Sequence, residues 1–169
     1  MTGAFVIEPL AARHDRDSFA CGVDALDRYL KTQATQDMRR NISNCFVAVP
    51  EAANRIAGYF TLAAASVPVV EIPAELAKRL PRYPVLPAVV IGRLAIDRAF
   101  TRRALGSALL YDAIARTRRA DPAVYAVIVD AKDDGAVTFY RRFGFQPFAN
   151  RELSLFLPMA TAARLIEQD

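Results

Sequence analysis

Apolar positions along this chain recur at two periods, and the switches between them divide it into alternating strand and helix signals. Phe5 to Glu8 opens as a short strand. From Asp24 to about Arg39, Leu26, Tyr29, Leu30, Gln33 and Ala34 recur at helical spacing, with Asp24 placed to cap the first turn. Cys45 to Val49 and Ile56 to Ala65 are apolar, aromatic runs separated by the polar turn Ala53-Asn54-Arg55, which predicts an antiparallel hairpin. Pro68, Pro73, Pro81, Pro84 and Pro87 then mark an irregular excursion with one short helix over Ala74 to Leu80.

Val89 to Ile96 is apolar on either side of Gly92-Arg93 and reads as a central strand buried on both faces. After Asp97 the period changes, and from Ala104 onward Leu105, Leu109 and Ala113, with Leu110 and Ile114 beside them, form the apolar face of a helix. Tyr125 to Val129 is another strand. A helix from about Asp133 to Arg142 follows and stops at Gly144, a residue suited to a left-handed C-cap. Leu153 to Leu157 gives a last strand before a terminal helix from about Met159. This order predicts a mixed α/β fold with a sheet at its centre and helices around it. No repeat or Gly/Ser-rich linker interrupts it, and 169 residues suffice for one core but not comfortably for two, so a single domain over 1–169 is expected.

Composition narrows the function classes. Hydrophobic residues are 53% and charged ones 24%, which excludes a disordered chain. The longest apolar stretches, Thr61 to Val70 and Val85 to Ile91, are broken by Pro68 and Pro87 and are too short for a bilayer, so no membrane association is expected. Met1-Thr2-Gly3-Ala4-Phe5 lacks the basic start of a secretion signal, and Cys21 and Cys45 alone make no disulfide framework; both point to a cytoplasmic setting. With His14 as the one histidine, no protein-built metal site is expected. The net charge is +4, and since only Lys31, Lys78 and Lys132 are lysines, arginine carries most of the positive charge. Guanidinium forks suit phosphate oxygens, which favours a polyanionic ligand.

The segment Ile96-Asp97-Arg98-Ala99-Phe100-Thr101-Arg102-Arg103-Ala104-Leu105-Gly106-Ser107 joins strand to helix. Unpaired N–H groups at such a helix start favour an anion; Gly106 keeps side chains away and Arg102 and Arg103 add charge. Gly92-Arg93-Leu94-Ala95-Ile96-Asp97 followed by Thr101-Arg102-Arg103-Ala104-Leu105-Gly106 resembles motif A of the GNAT acetyltransferases. That motif reads Gln or Arg, two variable residues, Gly, one variable residue, then Gly or Ala. Gly106 matches its last position, whereas Thr101 and Ala104 depart, and Ala104 puts a methyl group where the motif has bare backbone. Val129 through Phe145, ending Phe139-Tyr140-Arg141-Arg142-Phe143-Gly144-Phe145, resembles motif B of the same family.

The resemblance implies a GNAT fold, with a mixed, mostly antiparallel sheet whose central strands splay to receive acetyl-CoA. The thioester is then held by strand backbone at Leu94, Ala95 and Ile96, the pyrophosphate by Thr101, Arg102, Arg103, Ala104, Leu105, Gly106 and Ser107, and the pantetheine beside Asp133 and Phe139. Tyr140 matches the family's general acid. Such a role explains a tyrosine where core packing alone accepts phenylalanine, since a phenol can protonate the leaving thiolate.

The resemblance extends to one branch, the toxin acetyltransferases of bacterial toxin–antitoxin pairs of the TacT and AtaT kind. It is carried by Phe19-Ala20-Cys21-Gly22-Val23-Asp24-Ala25-Leu26-Asp27-Arg28-Tyr29-Leu30, Phe46-Val47-Ala48-Val49, Ile56-Ala57-Gly58-Tyr59-Phe60-Thr61-Leu62 and Gly92 to Asp97. It implies acetylation of the α-amine of aminoacyl-tRNA, a block of translation, a ribbon-helix-helix antitoxin that alone contacts DNA, and a homodimer. Arg39, Arg40, Arg79, Arg82, Arg93, Arg141 and Arg142 are candidates for the tRNA phosphates. Two other readings stay open at this point: a GNAT enzyme acting on a small-molecule or protein amine, and a non-catalytic RNA- or acyl-CoA-binding regulator.

Overall fold

The computed structural model describes residues 4–51, 53–101 and 104–167. Its elements are β1 (Phe5–Pro9), α1 (Asp24–Thr32), α2 (Ala34–Arg39), β2 (Asn44–Pro50), β3 (Gly58–Pro68), α3 (Ala74–Ala77), β4 (Val85–Ile96), α4 (Leu105–Arg119), β5 (Ala126–Asp130), α5 (Asp134–Arg142), β6 (Gln146–Pro147), β7 (Ser154–Pro158) and α6 (Met159–Glu167). The strands form a seven-stranded sheet in the order β1-β2-β3-β4-β5-β7-β6. β1, β2, β3, β6 and β7 each end on a proline, which has no N–H to offer a ladder. Among the described residues, no helix is long and apolar enough to cross a membrane, and no His, Cys, Asp or Glu residues group in threes to hold a metal ion.

The pairing leaves the end of β4 free of β5. β1 and β2, β2 and β3, β5 and β7, and β6 and β7 run antiparallel, while β4 and β5 run parallel. The β4–β5 register runs from Ala88↔Ala126 to Ile91↔Val129, and β4 continues past it to Ile96. The backbone of the Gly92–Ile96 stretch is therefore outside that register.

Two compact units divide the chain, one holding Met1–Ala63 and Gly92–Ala113, the other Ala64–Ile91 and Ile114–Asp169. In the first, Phe19, Leu30, Val47, Ile56 and Tyr59 are fully buried together. Gly58 is required there by close approach: a Cβ would lie 2.9 Å from Leu109 Cδ1 and 3.0 Å from the Ala95 carbonyl oxygen. In the second, Val67, Ile72, Leu86, Ala126 and Phe156 form the core.

Several expected boundaries move. The helix expected from Asp24 to Arg39 is two helices, broken where Gln33 takes φ −121°. The break lets Asp37 accept hydrogen bonds from the Tyr29 hydroxyl (2.8 Å) and from Gln33 Nε2 (3.0 Å), a network that periodicity cannot reveal. Asp24 does not cap α1; the N-cap residue is Val23, and it is Asp27 that reaches back to accept from the Cys21 N–H at 2.9 Å. α3 is shorter than expected, and β4 begins at Val85 rather than Val89. Pro87 fits inside β4 because it precedes the first β5 pair and contributes only its carbonyl, which accepts from Tyr125 N–H at 2.8 Å.

Candidate active site

The junction after β4 is fixed by Asp97. Asp97 is 3% exposed; Oδ1 accepts from Ala99 N–H (2.9 Å) and Oδ2 from Ala20 N–H (3.0 Å), while its own N–H donates to Ala57 O (2.9 Å). This caps a 3-10 turn at Arg98–Phe100, and Thr101 Oγ1 donates to Arg98 O at 3.1 Å to extend it. The Phe100 ring packs edge-on to Phe5 at 5.9 Å beneath the Arg55 guanidinium, whose carbon lies 5.0 Å from the ring centroid. The Ile96–Thr101 stretch thus leads from strand to helix along a locked path. Arg102 and Arg103, both expected at the phosphate site, lie outside the described residues.

Ala104 has φ +55°, in the left-handed region. A left-handed residue directly before a helix turns the chain so that the first helical N–H groups open outward together, and the macrodipole adds positive potential there. α4 carries no acidic residue in its first turn and has Arg116, Arg118 and Arg119 in its last, so its N-terminus keeps that potential. Leu105 is buried as the anchor of the helix, while Gly106 and Ser107 are half-buried beside it. The donor set at Ala104–Ser107 therefore suits a diphosphate, and the expected apolar face of Leu105, Leu109, Leu110, Ala113 and Ile114 is buried.

Tyr140 sits on α5, whose ends follow from local chemistry. Asp133 is the N-cap, Oδ1 accepting from Ala136 N–H at 2.8 Å, and Gly144 takes φ +95° just after the C-cap residue Phe143. The carboxylate of Asp133, expected beside the pantetheine, is thus engaged as a helix cap. The Tyr140 ring packs between Phe139 (5.3 Å) and Phe145 (5.6 Å), and Phe139 in turn meets Phe143 at 5.4 Å. Tyr140 is 8% exposed. Burial, with a smaller contribution from the Asp130 carboxylate, pushes its phenol up to about 12, so it is held in the proton-bearing form.

The expected tRNA-facing arginines differ in setting. Arg39 and Arg40 at the end of α2, Arg79 and Arg82 after α3, and Arg141 and Arg142 at the end of α5 are exposed. Arg93 is half-buried, its guanidinium carbon 3.5 Å from the Tyr29 ring centroid, a cation–π contact that holds it against α1. Sequence reasoning assigned no role to Asp97, although an Asp just past a strand is a recognisable turn-capping signal. Neither cysteine is suited to carry an acyl group: burial pushes Cys45 up to about 12 and also raises Cys21.

The family match defines the class as an acyltransferase: the Acetyltransferase (GNAT) domain family matches residues 16–161. The chain belongs to that family. A tRNA-acetylating toxin of Mycobacterium tuberculosis (strain ATCC 25618 / H37Rv) is 34% identical over 168 residues, spanning 98% of this chain and 99% of the relative. AtaT complexed with acetyl-methionyl-tRNAfMet superposes with a TM-score of 0.88 at 29% identity, covering 96% of this chain and 99% of AtaT. A Tyr→Phe variant of AtaT bound to acetyl-CoA and the C-terminus of the antitoxin AtaR gives 0.80 at 26% identity, over 96% and 98% of the two chains.

Proposed function

We propose that this protein is an acetyl-CoA-dependent N-acetyltransferase that acetylates the α-amine of aminoacyl-tRNA and so blocks translation, as the toxin of a toxin–antitoxin pair. The observation that carries the reading is the end-to-end likeness to a tRNA-acetylating toxin, supported by a buried, proton-bearing phenol at Tyr140. The protein acts in the cytoplasm as a homodimer, and a ribbon-helix-helix antitoxin silences it and carries any contact with DNA. The single domain spans the whole chain.

Acetyl-CoA is the acyl-donor substrate. Its diphosphate rests on the N–H groups of Ala104–Ser107 with Thr101, Arg102 and Arg103 beside them, and its thioester lies along Leu94, Ala95 and Ile96, with Asp133 and Phe139 bordering the pantetheine. A free α-amine has a pKa of about 7.7 to 8.0, so a useful fraction is neutral near pH 7 without a strong protein base. The amine nitrogen attacks the acetyl carbon, the C–S bond breaks, and the departing sulfur takes the proton of the Tyr140 hydroxyl. The new amide nitrogen releases its extra proton to water, and water reprotonates Tyr140. The exposed arginines Arg39, Arg40, Arg79, Arg82, Arg141 and Arg142, together with Arg93, hold tRNA phosphates.

Labelled acetyl-CoA tests this directly. Charged tRNA should become labelled and deacylated tRNA should not, and Tyr140→Phe should lower kcat by about 100-fold or more at an unchanged melting temperature. Growth arrest on expression should be relieved by a co-expressed ribbon-helix-helix protein. Labelling of polyamines or peptides in place of charged tRNA would assign a different amine, and acetyl-CoA binding without turnover on any amine would make the protein a regulator.

A further inference from the structure

Arg93 stands on β4 directly before the Leu94–Ile96 stretch and outside the register with β5. Ala95, two residues on and therefore on the same face of the strand, is buried in the cluster that holds Tyr29. The Arg93 guanidinium carbon lies 3.5 Å from the Tyr29 ring centroid, a separation that only a flat stack allows, so its N–H bonds point sideways in the plane of the fork. The Tyr29 hydroxyl donates to Asp37 at 2.8 Å, which makes the ring richer in electrons and a better seat for a cation.

The fold gives these donors nothing to bind. Among the described residues, the Arg93 side chain makes no hydrogen bond or ion pair, only the ring contact. No Arg93 nitrogen is among the buried atoms that lack a partner, so the fork reaches solvent although much of the residue is covered. The carboxylate that feels its charge, Asp37, is already engaged, Oδ1 accepting from Gln33 Nε2 at 3.0 Å and Oδ2 from Tyr29. Those bonds, and after them the charges of Arg93 and Arg40, hold Asp37 below the usual carboxylate range. One carboxylate thus faces two guanidinium groups. A fixed fork with free donors and a local excess of positive charge suits an anion that offers two oxygens.

We infer that Arg93 binds the phosphodiester between the last two nucleotides of the charged tRNA and so aims the attacking amine. The inference rests on the N-acetyltransferase reading above, which lays the thioester along Leu94–Ile96. The α-amine that reaches this thioester hangs, through its ester, from the terminal ribose, and the anion closest to it is that single phosphodiester. An arginine next to the thioester meets that phosphate before any other. Held flat on Tyr29, the fork fixes the acceptor end at little entropic cost and brings the amine to the acetyl carbon in a productive orientation. A polyamine or a peptide brings no phosphate to this place, so Arg93 also selects the acceptor. The exposed arginines hold the rest of the tRNA.

A neutral methylphosphonate placed at a single linkage of charged tRNA tests this. Acetylation kcat/KM is measured for the parent and for Arg93→Gln on unmodified charged tRNA, on charged tRNA with the methylphosphonate between its last two nucleotides, and on charged tRNA with it several linkages further in. On the unmodified substrate Arg93→Gln should lower kcat/KM about tenfold or more, the loss expected when a charge-assisted hydrogen bond goes, while the acetyl-CoA Kd by calorimetry stays within about twofold. The modification at the last linkage should lower the parent by a similar factor and the variant by less than about twofold, because the two changes remove the same contact. At the inner linkage parent and variant should respond by the same factor. A parent indifferent to the last linkage, a variant as sensitive to it as the parent, or an acetyl-CoA Kd that weakens in step with kcat/KM would overturn the inference while leaving the proposed function intact. A parent protein inert on charged tRNA would overturn both.

Discussion

Ala104→Gly isolates the energetic cost of the helix start. Ala104 is exposed and has φ +55°, so its methyl group contributes little packing but crowds the following carbonyl. Holding an L-residue there costs about 1–2 kcal/mol. Glycine removes this cost but enlarges the unfolded ensemble, which returns about 0.4–1 kcal/mol to the unfolded side. The net is a gain of about 0.5 kcal/mol, or roughly 1–2 °C in melting temperature for a chain of this size. Gly144 supplies the converse. It sits at φ +95°, and an added Cβ would make only ordinary contacts with Leu157 Cδ1 at 3.5 Å and Thr161 Cγ2 at 3.7 Å. Gly144→Ala should therefore lose about 1 kcal/mol or more through the backbone alone. Thermal and urea melts of both variants measure the two terms with opposite sign. Baring the backbone at 104 should also strengthen acetyl-CoA binding severalfold, read by calorimetry, because the methyl stands beside the N–H groups proposed to hold the diphosphate. An Ala104→Gly protein that melts lower than the parent would refute the reasoning, since it would mean that the left-handed residue is not strained.

The remaining expectations concern α5 and alkaline pH. Asp133→Ala should cost about 1 kcal/mol by removing the N-cap bond to Ala136, whereas Asp133→Asn should cost almost nothing in a urea melt; equal losses would contradict a capping role. Burial raises Tyr29, Cys45 and Tyr140 each to about 12, so the fold keeps these protons at pH values where the unfolded chain has released them. Their contribution is complete below the unfolded values and is lost as pH rises toward 12, so the urea midpoint should hold to about pH 8 and fall steeply above about 10. A midpoint constant to pH 11.5 would show that these groups are not desolvated.

What was legible in the sequence was what short-range chemistry decides. α5 could be bounded because Asp133 and Gly144 act within a few residues of themselves, one by side-chain capping and the other by its left-handed φ. The buried face of α4 was legible because its period is carried by the leucines and alanines themselves. The break at Gln33 was not, since the gain comes from Asp37 joining Tyr29 and Gln33, and the helical period continues through the break. The start of α1 was misassigned to Asp24, because which carboxylate can reach Cys21 N–H depends on the path of the chain before the helix, and it is Asp27 that does so. Arg93 and Tyr29 could not be connected at all, as only the folding of β4 against α1 brings them together.

The environment of Tyr140 bears on whether a phenol can do the work asked of it. Against an ordinary thiol near 8.5, a phenol at about 12 would surrender its proton at a cost of about 5 kcal/mol, a heavy charge on the barrier. The comparison changes when the leaving sulfur is desolvated as well. Cys45 is a thiol that burial pushes up to about 12 against the opposing charges of Arg16 and Arg93, level with Tyr140. A thiolate expelled into similarly dry surroundings has a proton affinity matched to the phenol, and transfer becomes nearly neutral. In the proposed reaction desolvation would then serve both partners, keeping Tyr140 protonated at every physiological pH and making the nascent thiolate basic enough to take that proton.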